Sequence, residues 1–123
     1  DLHSFPTRRS SDLLVDIIVF YDFEYDTVNN AREKKVKLTK TDCINFTNAF
    51  CDYIKSKGYK VGFYLNQDYY KNWYDVATIK KYIIWLADYN TTPHYDCVYH
   101  QYTSKGKVNG ISGNVDMNFY YEQ

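Results

Sequence analysis

The run Leu14-Val15-Asp16-Ile17-Ile18-Val19-Phe20-Tyr21 is apolar on both faces of an extended strand. Side chains alternate across a strand, so Ile18 and Phe20 point one way while Ile17, Val19 and Tyr21 point the other. A strand with two apolar faces belongs inside a parallel sheet covered on both sides, which directs the chain to an α/β architecture. The run ends in Asp22-Phe23-Glu24. The i, i+2 spacing sets both carboxyl groups on one face, roughly 6 to 7 Å apart at their Cβ atoms. Like charges that close push their pKa values apart, so one acid can stay protonated beside an ionised neighbour. Two acids at the end of a buried strand point to catalysis rather than stability. Asp16 falls near the strand's exposed start rather than in the site, and Asp26, beyond the strand's end, reads as solvated or helix-facing.

Residues 1–13 have no apolar periodicity and offer no partner for this strand. They resemble, along their whole length, the in-frame translation of a common sequencing-adapter oligonucleotide. The segment is expected to be artefactual, the alternative being a short basic arm at Arg8 and Arg9. Residues 14–123 then form one small domain or part of a larger one, with the native start upstream. Fifteen Lys and Arg balance fifteen Asp and Glu, so no basic excess favours nucleic acid. No apolar run approaches the roughly 20 residues that cross a bilayer. Fifteen Tyr, with Trp73 and Trp85, suit stacking on sugars, although a bias toward Lys, Asn, Ile and Tyr gives the same composition. Cys43, Cys51 and Cys97 are an odd set. The first two lie about 12 Å apart along a helix, too far to bridge, and all three are expected as buried thiols, with a pairing of Cys97 left open. Neither C-x-x-C nor H-x-x-x-H occurs, so no metal site and no cofactor are expected.

Residues 26–38 read as a polar connection, its lysines solvated. Thr39, three residues before Asp42, starts a helix in the manner of a capping box. Cys43, Thr47, Phe50, Cys51 and Ile54 form one helical face, and Gly58 ends it. Residues 59–66 form a second strand, with Val61, Phe63 and Leu65 alternating against Gly62 and Tyr64. Residues 68–82 read as another helix, residues 82–89 as a third buried strand, and Pro93 as the centre of a turn, with His94 in the loop. Strands follow at 97–102 and 115–121, with His100 either core or rim and a polar link between them. The order β-α-β-α-β-β-β suits part of a barrel closed by hairpin-like connections. Such a chain places its chemistry at the C-terminal strand ends. Asp22, Glu24, Tyr64, Asn66, Trp85, Tyr89, Gln101, Asp116 and Asn118 stand there.

Tyr21-Asp22-Phe23-Glu24, Gly62-Phe63-Tyr64, Trp85-Leu86-Ala87-Asp88-Tyr89, His100-Gln101-Tyr102 and Val115-Asp116-Met117-Asn118 occur in the order seen in family 25 glycoside hydrolases. D-x-E alone is weak, but with W-x-A-x-Y and V-D-x-N downstream it is specific. The chain therefore resembles the C-terminal part of these lysozyme-type N-acetylmuramidases of bacteria, phages and some fungi. The resemblance implies an incomplete TIM-like (β/α)5β3 barrel, of which this chain holds strands 4 to 8. It implies cleavage of the β-1,4 bond between N-acetylmuramic acid and N-acetylglucosamine in the peptidoglycan glycan strand. By motif, Glu24 would be the general acid, Asp22 would orient the 2-acetamido group or hold the second charge, and Asp116 would be the acid of the last strand. Tyr64, Trp85, Tyr89, Gln101, Asn118 and, less directly because its parity is opposite, Asp88 would hold sugar.

The family's first strand supplies another active-site Asp, which would lie upstream of Leu14. The resemblance thus implies a truncated fragment, poorly stable and inactive alone, of an enzyme that is extracellular or wall-associated and monomeric when full length. Two alternatives fit the same residues: a carbohydrate-binding module without catalysis, and a chitinase-like acetamido-sugar hydrolase.

Overall fold

The computed structural model describes residues 17–123. The expected artefactual segment, and Leu14, Val15 and Asp16, lie outside the described residues. Five strands, β1 (Ile18–Asp22), β2 (Lys60–Asn66), β3 (Ile83–Ala87), β4 (Tyr99–Gly106) and β5 (Val115–Tyr120), form one mixed sheet in the order β1-β2-β3-β4-β5. The pairs β1–β2, β2–β3 and β3–β4 are parallel, and β4–β5 is antiparallel. Asp22 pairs with Tyr64, Tyr64 with Trp85, Trp85 with Tyr99, and Tyr99 with Tyr120. One transverse row of side chains therefore runs across the same face of every strand, with the first acid at its end. This is the sheet of part of an α/β barrel.

The opposite face carries the core. Tyr21, Val61, Phe63, Leu65, Ile84 and Leu86 alternate toward it and meet Cys43, Phe50, Cys51 and Ile54 of the helix α2 (Lys40–Ser56). Thr39 caps α2 by accepting the Asp42 N–H at 3.2 Å, while the Asp42 carboxylate accepts the Thr39 N–H at 2.9 Å. Gly58 ends the turn after α2 at φ 91°, a conformation open to glycine at no steric cost. Cys43 and Cys51 are free and buried; burial pushes their thiols up to about 11 and about 12, so both stay protonated and inert near neutral pH. Cys97 is also free and half-buried.

Three expectations are corrected. The polar connection begins with a helix, α1 (Tyr25–Glu33), which buries Val28 and is entered through Glu24, whose N–H donates to Thr27 Oγ1 at 3.2 Å. Its single inward residue left no apolar stripe to read. The long helix expected over residues 68–82 is broken into a π-type turn (Tyr69–Trp73) and α3 (Val76–Lys81). Tyr74 takes extended backbone between them, drops into the core and bonds Thr47 Oγ1 through its hydroxyl at 2.8 Å. Asp75 then caps α3 by accepting the Thr78 N–H at 2.9 Å. β4 also runs further than expected, to Gly106, because its hairpin with β5 continues beyond Tyr102.

Candidate active site

β1 delivers the acid pair. Asp22 is its last residue, Phe23 turns to the opposite side and is buried against Tyr69 and Trp73, and Glu24 returns to the side of Asp22 as it caps α1. The buried Phe23 ring thereby anchors the backbone between the two carboxyl groups. The Glu24 carboxyl is pushed from its ordinary 4.5 up to about 7. Burial is the main cause, followed by a hydrogen bond with Asp22, the charge of Asp22 and the charge of Asp26. The positive end of α1 favours the ionised form, but by only about 0.3 to 1 kcal/mol. That is smaller than the roughly 1 to 2 kcal/mol that the rise from 4.5 to about 7 represents once solvent screening at the open side is taken into account. Burial and Asp22 therefore win.

Glu24 opens onto a cavity of about 470 Å³ lined by Tyr25, Tyr64, Asn66, Gln67, Asp68, Ala87, Tyr89 and Asn90. Tyr64 and Tyr89 both donate their hydroxyls to Gln101 Oε1, at 2.9 and 3.0 Å, which fixes the amide of Gln101. The Tyr64 hydroxyl is raised well above its ordinary value by burial and then by the charges of Tyr89, Glu24, Asp22 and Asp116. Tyr64 thus stands within electrostatic reach of all three candidate acids. Trp85 packs edge-on against Tyr64 at 5.1 Å between ring centroids, and its Nε1–H donates to Asn118 Oδ1 at 2.8 Å. Phe20 braces Trp85 from below at 5.2 Å.

The sheet thus gathers Asp22, Glu24, Tyr64, Trp85, Gln101 and Asn118 on one face, with Tyr89 on the rim. Asp116 lies on that face too, exposed on the outer strand, and reaches the group through its field at Tyr64. Asp88 does not line the cavity. It is 1% exposed, and its carboxylate is occupied by internal donors. His100 is core rather than rim: it is fully buried, with Nε2 on the Asp88 carbonyl at 2.6 Å and Nδ1 on the Tyr121 hydroxyl at 2.9 Å.

Tyr25, Gln67, Asp68 and Asn90 were not anticipated as cavity residues. Asp68 accepts the Tyr25 hydroxyl at 2.6 Å and the Asn72 amide at 2.7 Å, and these bonds hold its carboxyl below the ordinary range. The available signal was weak: all four stand immediately outside a strand end, where period-2 alternation no longer assigns a direction. Hollows of about 500 and 750 Å³ open elsewhere around Tyr70, Asp96 and Cys97. Neither contains a pair of acids, so the smaller cavity at Glu24 is the chemical candidate. Among the described residues no group of His, Cys, Asp or Glu could hold a metal, and no helix is long and apolar enough to cross a membrane.

The pattern of glycosyl hydrolases family 25 matches residues 9–111, starting inside the segment expected to be artefactual. The chain is 37% identical over 76 residues to the autolytic lysozyme of Clostridium acetobutylicum, an alignment covering 59% of this chain and 23% of that protein. It therefore spans about a quarter of that relative's length. The catalytic domain of endolysin ply40, from bacteriophage P40 of Listeria monocytogenes, superposes with a TM-score of 0.54 at 22% identity. That match covers 85% of this chain and 65% of the other. The spore cortex lytic enzyme SleM of Clostridium perfringens superposes at 0.60 with 18% identity, covering 85% of this chain and 36% of its own. At those identities the two structures speak for the shared fold.

Proposed function

The chain belongs to glycosyl hydrolases family 25, and on that premise we propose that it is the acid-bearing part of a muramidase, a peptidoglycan hydrolase that cleaves the β-1,4 bond between N-acetylmuramic acid and N-acetylglucosamine. One observation carries the reading: Glu24, pushed up to about 7 beside Asp22, opens onto a cavity walled by Tyr64 and Tyr89. A carboxyl protonated near neutral pH can donate to a glycosidic oxygen as the bond to the anomeric carbon breaks. Glu24 is that acid. Asp22 orients or polarises the substrate's 2-acetamido group, and Asp116 supplies further negative charge facing the positive charge that develops on the sugar. Tyr64, Trp85 and Tyr89 offer ring faces, and Asn118 offers an amide to sugar hydroxyls and acetamido groups. Gln101, buried with its Oε1 accepting from Tyr64 and Tyr89, serves the sugar by holding those two rings.

The five strands correspond, in this reading, to strands 4 to 8 of a (β/α)5β3 barrel, with residues 14–123 the C-terminal part of the catalytic domain and residues 1–13 artefactual. The enzyme acts at the cell wall or outside the cell, on peptidoglycan glycan strands rather than nucleic acid or membrane, as a monomer when full length. The test is release of reducing ends from purified peptidoglycan by the full-length protein and by its Glu24→Gln variant. A loss of about 100-fold or more with glycan binding retained supports the assignment; unchanged turnover overturns it. Wild-type cleavage of chitin in preference to peptidoglycan would favour a chitinase-like enzyme instead. Binding without cleavage of either would favour a carbohydrate-binding module.

A further inference from the structure

Beneath the rim, Asp88 gathers three separate parts of the chain. Its Oδ1 accepts Gln67 Nε2 at 2.9 Å and Asn90 Nδ2 at 2.8 Å, and its Oδ2 accepts the His94 N–H at 2.7 Å and His94 Nδ1 at 2.8 Å. Its carbonyl accepts His100 Nε2 at 2.6 Å, and its own N–H donates to the Gln101 carbonyl at 3.1 Å. Nε2 faces a carbonyl and so carries a proton, while Nδ1 meets the Tyr121 hydroxyl, and the two bonds fix the orientation of the His100 ring. A carboxylate this deeply buried is costly unless its lone pairs are filled, and here four N–H donors fill them. Burial alone would raise the Asp88 carboxyl; the donations from Asn90 and from His94's backbone and ring outweigh it and hold the group below the ordinary range.

The arrangement is selective in what it fixes. Gln67 and Asn90 line the Glu24 cavity, and Tyr89, the residue between Asp88 and Asn90, lines it too. Tyr89 is more than half exposed, so little packing holds it, yet its hydroxyl must meet the Gln101 amide at 3.0 Å. We propose that Asp88 is a positioning residue of the cleft: held beneath the rim, it fixes Tyr89, Asn90 and Gln67 in the geometry that receives an acetamido-sugar, without touching the sugar. This rests on the glycan-binding reading of the Glu24 cavity. It assigns a role to an acid whose strand parity turns it away from Trp85 and Tyr89, and it explains why a buried charge stands next to an exposed ring. Pre-organisation of this kind lowers the ordering cost of binding.

The test uses the full chain with chitotetraose as the probe, comparing wild type, Asp88→Asn and His94→Ala. Asp88→Asn keeps the shape but sets an amide N–H₂ against N–H donors. His94→Ala removes one ring donor from a largely exposed position and spares the core. Amide hydrogen exchange reads order at Asn90 and His94, and an NMR titration reads affinity. The expected result for Asp88→Asn is faster exchange at those two amides, unchanged protection over β2, and chitotetraose binding weaker by about tenfold or more. His94→Ala shifts both readouts in the same direction by less. Loosened amides with unchanged affinity would make Asp88 merely structural, and unchanged exchange would remove it from the rim altogether. If Asp88→Asn also loses protection over β2, the decision passes to His94→Ala, judged by the same two criteria. Absence of wild-type binding to both chitotetraose and a soluble peptidoglycan glycan fragment would defeat the glycan reading; local loosening with an intact sheet would still support the positioning of the rim by Asp88.

Discussion

Replacing Glu24 with Gln should stabilise the fold, and only above mildly acidic pH. The wild-type carboxyl titrates near 4.5 in the unfolded chain and at about 7 in the folded one. Between these values the folded state holds a proton that the unfolded state has released. Stability therefore falls as pH rises from about 4.5 and levels off above about 7. At 1.36 kcal/mol per pKa unit the full effect is about 3 kcal/mol, and solvent screening at the open side of the cleft reduces it to about 1 to 2 kcal/mol. Gln has nearly the shape of the protonated acid, can still bond Asp22, and has no proton to lose. Urea denaturation of both proteins from pH 4 to 8 reads the difference, since every other titrating group is common to the two. The curves should coincide near pH 4 and separate by about 1 to 2 kcal/mol above pH 7.5, with the variant more stable. Parallel curves at all pH values would refute the argument that burial and Asp22 hold the proton on Glu24. A variant less stable at high pH would refute its sign.

Two further substitutions test the scaffold. The Tyr69 hydroxyl is buried without a hydrogen-bond partner among the described residues, while its ring stacks on Trp73 at 4.8 Å; Tyr69→Phe should keep the stacking and leave stability unchanged or raise it by up to about 1 kcal/mol in urea melts. A Cβ on Gly62 would stand 2.1 Å from the Ile83 carbonyl oxygen, so Gly62→Ala should force β2 and β3 apart and cost about 2 to 3 kcal/mol by the same measurement.

The parts of the fold that could be read from sequence are those governed by a period or a cap. Alternation placed Val61, Phe63 and Leu65 on the helix face of β2, and they are buried there. The reciprocal bonds of Thr39 and Asp42 start α2 where the sequence suggests. The same alternation put Asp22, Tyr64, Trp85, Gln101 and Asn118 on one face, because the register of each pair, parallel from β1 to β4 and antiparallel from β4 to β5, carries strand parity from neighbour to neighbour. What escaped was decided by tertiary contacts. α1 buries only Val28, too little to leave a stripe. Tyr74 breaks the helix expected over residues 68–82 because its ring fills the space between Phe63 and Thr47. Asp88 is a candidate sugar-holding residue because it sits within W-x-A-x-Y, and a weaker one because its parity opposes that of Trp85 and Tyr89. Only the positions of Gln67, Asn90 and His94 reveal that its oxygens are already occupied.

Acid catalysis here depends on one proton, held on Glu24 near neutral pH by burial and by Asp22. Carbon-detected NMR of the Glu24 side-chain carboxyl, titrated in the wild type and in Asp22→Asn, observes it directly. The expected midpoint is about 7 in the wild type, moving clearly downward when the Asp22 charge is removed. A wild-type midpoint at the ordinary 4.5, or one that does not respond to Asp22→Asn, would contradict the claim that this pair is a proton donor and its partner.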